Sequence, residues 1–371
     1  MNQEITYWVA LALTPKMWTS RKNQIIAHSI SQGKNIIDFF SSDDYLAMEL
    51  SQQERDVLLQ TKLELANHSF LAEELLNQGY DIIPITSKEY SPTLKINLKY
   101  NSPVVLFTKG NKQLLQNESI AIVGSRNANN TSLQFTDTIA KKATAEYKTV
   151  ISGFANGVDK QALDSAIAYN GQSIIVLPQG ITTFSSGIKK YYKQIINGDV
   201  LVLSTFHPRA PWSVDLAMAR NAIIYGLATE IYAAQSDDKG GTWSGVTDGL
   251  KRGRKIYIRV PEDNEQCANN KLITMGGIPV DINGTPQQKT EEPNLNIITN
   301  NGNIDERIFA LLSQKAYNCK QIIEALSLSN MTPQGLGKIL SKIDGITKEK
   351  KGNAFVYSYK TPPRQLSISL E

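Results

Sequence analysis

Between residues 119 and 258 the chain alternates short apolar runs with helical stretches, and this limits the fold more than any other feature of the sequence. The runs fall at residues 120–123, 149–151, 174–177, 200–203, 231–234 and 256–258. Helical patterns lie between them, near 131–146, 159–170, 188–197, 214–227 and 244–253. Regular alternation of strand and helix predicts an α/β fold, a parallel sheet with helices on both faces. In such sheets ligands bind at the carboxyl ends of the strands, where the loops open.

The turns that leave these strands are built from small residues. The first strand runs into Gly124-Ser125-Arg126 and the second into Ser152-Gly153-Phe154-Ala155-Asn156-Gly157-Val158-Asp159. The third reaches Gly180, and the fifth, after an acidic pair, reaches Gly240-Gly241-Thr242. Glycine lets backbone N–H groups approach a phosphate with no Cβ in the way, and a helix starting behind the loop adds partial positive charge. Glycine also serves plain strand-to-helix turns, so one such loop says little. Four at the same edge of one sheet converge on one cleft. Hydroxyls of Ser125, Ser152 and Thr242 add donors, and Arg126 offers a bidentate phosphate contact. Arg220-Asn221 sits in an apolar helical stretch, where Arg220 either snorkels to solvent or points into the cleft beside Arg126. Lys189, Lys190 and Lys193 lie at helical spacing with Tyr191 and Tyr192 between them, a mixture of cations and rings that suits single-stranded nucleic acid as well as a plain solvated helix.

Charge is unevenly placed. The net charge is +5 over residues 118–260 and +4 over 304–371, with −4 between them and −1 over 1–117. Basic segments attract phosphate backbones non-specifically. Residues 1–80 show helical periodicity, 81–117 form an entry segment with an apolar run at 104–107, and 283–303 have the composition of a linker. Residues 304–360 regain periodicity as three short helices, the third starting at Thr332-Pro333, then a Lys-rich hairpin. That order matches a winged-helix domain. Residues 361–371 read as a disordered tail.

Several functional classes fall away. Two cysteines, Cys267 and Cys319, make neither a disulfide framework nor a metal cluster, and His28, His68 and His207 are far apart. No cofactor is expected. There is no GxxxxGK[ST] loop and no Ser/His/Asp arrangement, and Asp159 reads as a helix-start partner rather than a general base. The chain is therefore expected not to be an enzyme. No apolar run reaches the roughly 18 residues of a membrane span, and the first ten residues carry Glu4 and no basic residue, so a cytoplasmic location is expected.

In this order the motifs resemble those of the DprA (Smf) family of DNA-processing proteins. The carriers are Val123-Gly124-Ser125-Arg126, the Ser152–Asp159 loop, Arg220-Asn221-Ala222-Ile223-Ile224-Tyr225-Gly226-Leu227, and Asn270-Lys271-Leu272-Ile273 followed by Gly276-Gly277. The sequence departs from the pattern at Phe184-Ser185-Ser186, at Gly240-Gly241-Thr242-Trp243, at Leu163 and at Thr14-Pro15-Lys16. The resemblance implies an extended Rossmann-type domain over 81–282, flanked by an N-terminal helical SAM-like domain (1–80) and a C-terminal winged helix (304–360). It also implies a homodimer that binds single-stranded DNA and loads a RecA-type recombinase during natural transformation. The implied binding residues are Gly124, Ser125, Arg126, Ser152, Gly153, Phe154, Asn156, Gly157, Gly180, Lys189, Lys190, Arg220, Asn221, Gly240, Gly241 and Thr242. Competing readings are a paralogue acting as a nucleotide or DNA sensor in a phage-defence or toxin–antitoxin locus, and a phosphoribohydrolase-like enzyme. The latter uses a Gly-Gly-x-Gly-Thr loop followed by a Glu, whereas Asp248 is the nearest acid here.

Overall fold

The structure, a computed structural model, describes residues 3–41, 49–287, 308, 311–312, 316–326, 328, 331–341, 343, 345–351 and 354–359. Most of the linker read at 283–303, and the tail from 361, lie outside these residues. The chain divides into two compact units, Met1–Thr290 and Glu291–Glu371.

The first unit opens with five helices, α1 (Gln3–Leu13), α2 (Thr19–Ser31), α3 (Ile36–Ser41), α4 (Gln52–Leu63) and α5 (Leu65–Asn77). An antiparallel pair follows, β1 (Asp81–Pro84) and β2 (Val105–Gly110), with α6 (Pro92–Leu98) between the two strands. The alternating part then runs β3 (Ser119–Val123), α7 (Asn130–Ala145), β4 (Thr149–Ser152), α8 (Val158–Ala168) and β5 (Ser173–Val176). It continues with α9 (Ser185–Lys190), α10 (Tyr192–Asn197), β6 (Val200–Ser204), α11 (Val214–Leu227), β7 (Glu230–Ala233), α12 (Gly241–Lys251), β8 (Ile256–Arg259), α13 (Asn269–Thr274) and β9 (Ile278–Val280).

All nine strands form one sheet in the order β1-β2-β6-β5-β4-β3-β7-β8-β9. From β6 to β9 every neighbouring pair is parallel. The expected α/β parallel sheet is what forms, and its strands are buried because helices cover both faces. Side chains alternate between those faces. Ile120, Ile122 and Val150 pack with Phe135, Ile139 and Ala162 of α7 and α8, whereas Ala121, Val123 and Ile151 pack with Ile223 and Ile224 of α11. The one long expected helix at 188–197 is instead two six-residue helices that break at Tyr191. No boundary in the packing falls near residue 80, since Trp8, Leu11 and Leu75 share one apolar cluster with Val105, Phe107 and Val202.

One topological step positions the site. The chain builds β3 to β6 outward in one direction and then returns to lay β7 on the other flank of β3. Loops leaving β3 and β7 therefore diverge, and the crevice between them opens at the carboxyl edge.

The second unit contains β10 (Tyr317–Asn318), α14 (Cys319–Ala325), α15 (Pro333–Leu340) and the hairpin β11 (Ile346–Lys351)–β12 (Ala354–Tyr359). Its core gathers Ile308, Leu312, Ile322, Leu336, Leu340 and Tyr357. Among the described residues no helix is long and apolar enough to cross a membrane.

Candidate nucleic-acid interface

The crevice between β3 and β7 is a cavity of about 420 Å³. Eight of the sixteen residues read from the sequence line it: Gly124, Ser125, Arg126, Arg220, Asn221, Gly240, Gly241 and Thr242. The β3 loop is held in place by its backbone. Ser125 N–H donates to the Gln235 carbonyl (2.9 Å) and the Ser125 carbonyl accepts from Val158 N–H (3.3 Å). Gly124 permits this approach, because a Cβ there would sit 2.5 Å from Val158 Cγ2. Gly157, at φ +78°, has the same use, since its Cβ would lie 2.4 Å from the Ser125 carbonyl oxygen.

Arg126 leaves this fixed loop exposed, and its side chain makes no hydrogen bond or ion pair to another described residue. Opposite it stands the start of α12. Gly240, at φ +89°, precedes that helix with open space around it, and no side chain caps the helix. Its first N–H groups therefore face the cavity with the positive end of the helix dipole behind them. Lys239 adds an exposed cation to the lining. Asp237 is the one exposed carboxylate among the lining residues.

Arg220 lies in the cavity wall with Nη1 of its guanidinium already committed to backbone carbonyls and Nε without a hydrogen-bond partner. It is 4% exposed, and its Nη1 donates to the carbonyls of Gly153 (2.6 Å) and Val176 (2.7 Å) at the ends of β4 and β5. The guanidinium fits only because residue 153 has no side chain, since a Cβ there would come within 1.8 Å of Nη1. Asp159, in the first turn of α8, is 8% exposed. Burial pushes its carboxyl above the ordinary value, against the opposing pull of Arg220, of the backbone N–H groups of Ala155 and Gly153, and of Arg126. Arg220 is thus a strut that joins two strand ends across a buried carboxylate.

The other eight residues read from the sequence do not line the cavity. Ser152 turns its hydroxyl back to the Ile122 carbonyl (3.2 Å). Gly153 lies beneath Arg220. Phe154, at φ +60°, meets Phe184 and Tyr191 edge-on, with ring centroids 5.0 and 5.7 Å away, and is half-buried against them. Gly180 is buried under the 207–210 segment, and its N–H is spent on the Ala210 carbonyl (2.8 Å). Gly157 shapes the β3 loop. Asn156 and Lys189 are exposed elsewhere. Lys190 sits 3.9 Å from Asp164 and 4.8 Å from the centre of the Tyr191 ring.

Two features went unread in the sequence. Lys239 had a signal, its place one residue before Gly240. Elsewhere in the first unit, the buried Arg259 pairs with Glu265 in a network reaching Asn129, Ser132 and Ala234. The buried asparagine beside it is Asn269, one residue before the Asn270 quoted above. It accepts from Ser236 N–H and donates to the carbonyls of Ala234 and Arg259. Among the described residues no group of three or more His, Cys, Asp or Glu could hold a metal ion.

The family model for DNA recombination-mediator protein A matches residues 81–284, more than half of the chain. The chain belongs to the DNA recombination-mediator protein A family. Within that family's curated members, it is 30% identical to DNA processing protein DprA of Streptococcus pneumoniae over 158 residues, 43% of this chain and 56% of that protein. It is likewise 30% identical to DNA processing protein DprA of Bacillus subtilis over 182 residues, 48% of this chain and 60% of that protein. It therefore spans somewhat under two thirds of the length of these relatives. The X-ray structure of the Streptococcus pneumoniae protein superposes with a TM-score of 0.61 at 22% identity, over 74% of this chain and 94% of that one, a likeness of fold.

Proposed function

We propose that the chain binds single-stranded DNA at the β3/β7 crevice and acts as a recombination mediator that passes the strand to a RecA-type recombinase. In this reading the site binds and does no chemistry. The observation that carries it is the convergence of donors on one cavity: Arg126, whose side chain has no hydrogen bond or ion pair among the described residues, Lys239, and the uncapped start of α12. Backbone N–H groups and a guanidinium suit phosphate oxygens and ignore base identity, so the binding is tolerant of sequence. The buried acid at the cavity, Asp159, is tied to Arg220 and to backbone N–H groups, which suits support of the loop rather than proton transfer.

The test is fluorescence anisotropy with a labelled oligo-dT. Replacing Arg126→Ala is expected to weaken binding about tenfold, the order of one charge-assisted phosphate contact, and to make the salt dependence shallower by about 0.7. An unchanged affinity and slope would remove the crevice from the binding site. Turnover of a nucleoside monophosphate with no strand binding would favour the phosphoribohydrolase reading.

A further inference from the structure

The second unit carries a basic groove that the crevice reading leaves unused. A cavity of about 730 Å³ lies among α14, α15 and the β11–β12 hairpin. Lys320, Lys338 and Lys348 line it together with Gln334 and Phe355, and among the described residues no carboxylate does. The strand register explains the sorting of charge. Lys348 pairs with Tyr357 and Lys350 with Phe355, so these four share one face of the hairpin, while Glu349 pairs with Val356 on the other. That face is core at Tyr357 (3% exposed) and emerges at Phe355 (49% exposed), where the Lys348 ammonium lies 4.1 Å from the ring centre. On α15, Leu336 and Leu340 are buried, whereas Gln334 and Lys338, one turn apart, are exposed. Gly337 lets α15 lie against the hairpin, because a Cβ there would sit 3.1 Å from the Tyr357 hydroxyl.

We infer that this unit is a winged-helix module whose groove binds duplex DNA, with α15 in the major groove and the Lys348–Lys350 edge of the hairpin on the neighbouring backbone. Three ammonium groups in one concavity, with no carboxylate among the described lining residues, repel one another, and a run of phosphates relieves that repulsion. A short helix with a polar, cationic stripe fits a groove about 12 Å wide. A single strand is held chiefly by stacking on several rings, and Phe355 is the one exposed ring among the described residues of this unit. Duplex is therefore the better match.

The test uses the full chain with labelled duplex and with oligo-dT. Lys338→Ala/Lys348→Ala is expected to raise the duplex Kd at least about tenfold and to make the salt slope shallower by about 2, at roughly 0.9 per phosphate contact. Oligo-dT affinity should change less than about twofold, by the same phosphate-contact reasoning. Lys338→Arg/Lys348→Arg, which keeps the charge, should retain duplex affinity and so separates lost contacts from lost folding. The proposal is overturned by a wild type that does not bind duplex, by an alanine variant that binds it as well as wild type does, or by equal losses for both oligonucleotides. Because the Arg126 experiment reads only the single strand, either proposal can fail while the other stands.

Discussion

Replacing Arg220→Met is expected to cost about 3–5 kcal/mol of stability in the first unit and to abolish measurable strand binding with it, the scale found when one member of a buried charged group is removed. Three losses combine. The carbonyls of Gly153 and Val176 each lose a donor held at 2.6–2.7 Å, and a buried acceptor left unmade costs about 1–3 kcal/mol. The buried Asp159 carboxylate loses the charge that most opposes its desolvation, so its raised pKa rises further. The β4 loop then loses its tie to β5, and with it the bed on which the Arg126 loop rests. Gly153→Ala drives a methyl into the same guanidinium and should reproduce the destabilisation. The measurement is thermal unfolding beside oligo-dT anisotropy. If Arg220→Met lost binding with an unchanged melting temperature, Arg220 would be a ligand contact and the strut assignment would be wrong.

The pH dependence of the Arg220→Met effect follows from the sign of the Asp159 shift. A carboxyl whose pKa is higher folded than unfolded takes up protons on folding within that window. Its contribution therefore declines as pH rises through the window, the reverse of an ordinary paired carboxylate. Since Arg220→Met raises the folded value further, the variant should lose least at acid pH and most at neutral pH.

Arg220 also marks the limit of what the sequence could tell. The central strands were legible because a buried parallel strand is apolar throughout, and the glycine turns because a turn of this kind tolerates few other residues. Which way the side chain of Arg220 points was not legible, since an arginine on an apolar helix face satisfies itself either in water or on carbonyls from strands far away in sequence. Gly180 read as a phosphate loop because the 207–210 segment that covers it lies beyond the next strand. The two edge strands escaped notice for another reason. β1 ends in Pro84 and β9 contains Pro279, and a proline argues against a central strand while remaining permitted at an edge. Nothing local in the sequence distinguishes a solvated Arg259–Glu265 pair from the buried one that forms.

That buried pair gives the second large effect. Arg259 is 1% exposed and Glu265 9% by side chain, and every polar group between them has a partner. Arg259 donates from Nε to the Ala234 carbonyl and from Nη2 to Ser132 Oγ, both at 2.9 Å. Glu265 accepts from Asn129 Nδ2 (2.8 Å) and Glu262 N–H (3.0 Å). Asn129 in turn caps α7 through Ser132 N–H and binds Gln235 Oε1, so the network joins the ends of β7 and β8 to the start of α7. Arg259→Met should therefore destabilise by about 3–5 kcal/mol, because it strands a buried carboxylate. Arg259→Met/Glu265→Leu removes both charges, and such swaps are often neutral when nothing else depends on the pair. Here Asn129, Ser132, the Ala234 carbonyl and the Glu262 N–H all lose partners, so the double variant should recover only part of the loss. Acid sharpens the distinction. Burial disfavours the Glu265 carboxylate, but hydrogen bonds from Arg259, Glu262 and Asn129 outweigh it and hold the pKa below its ordinary value. The stability this supplies is complete above the unfolded pKa and is lost as pH falls through the folded one. Wild type should lose it on acidification, while the double variant, with no carboxyl at 265, should show a flatter profile. Parallel pH profiles of the melting temperatures for the two proteins would show that the network contributes nothing through Glu265.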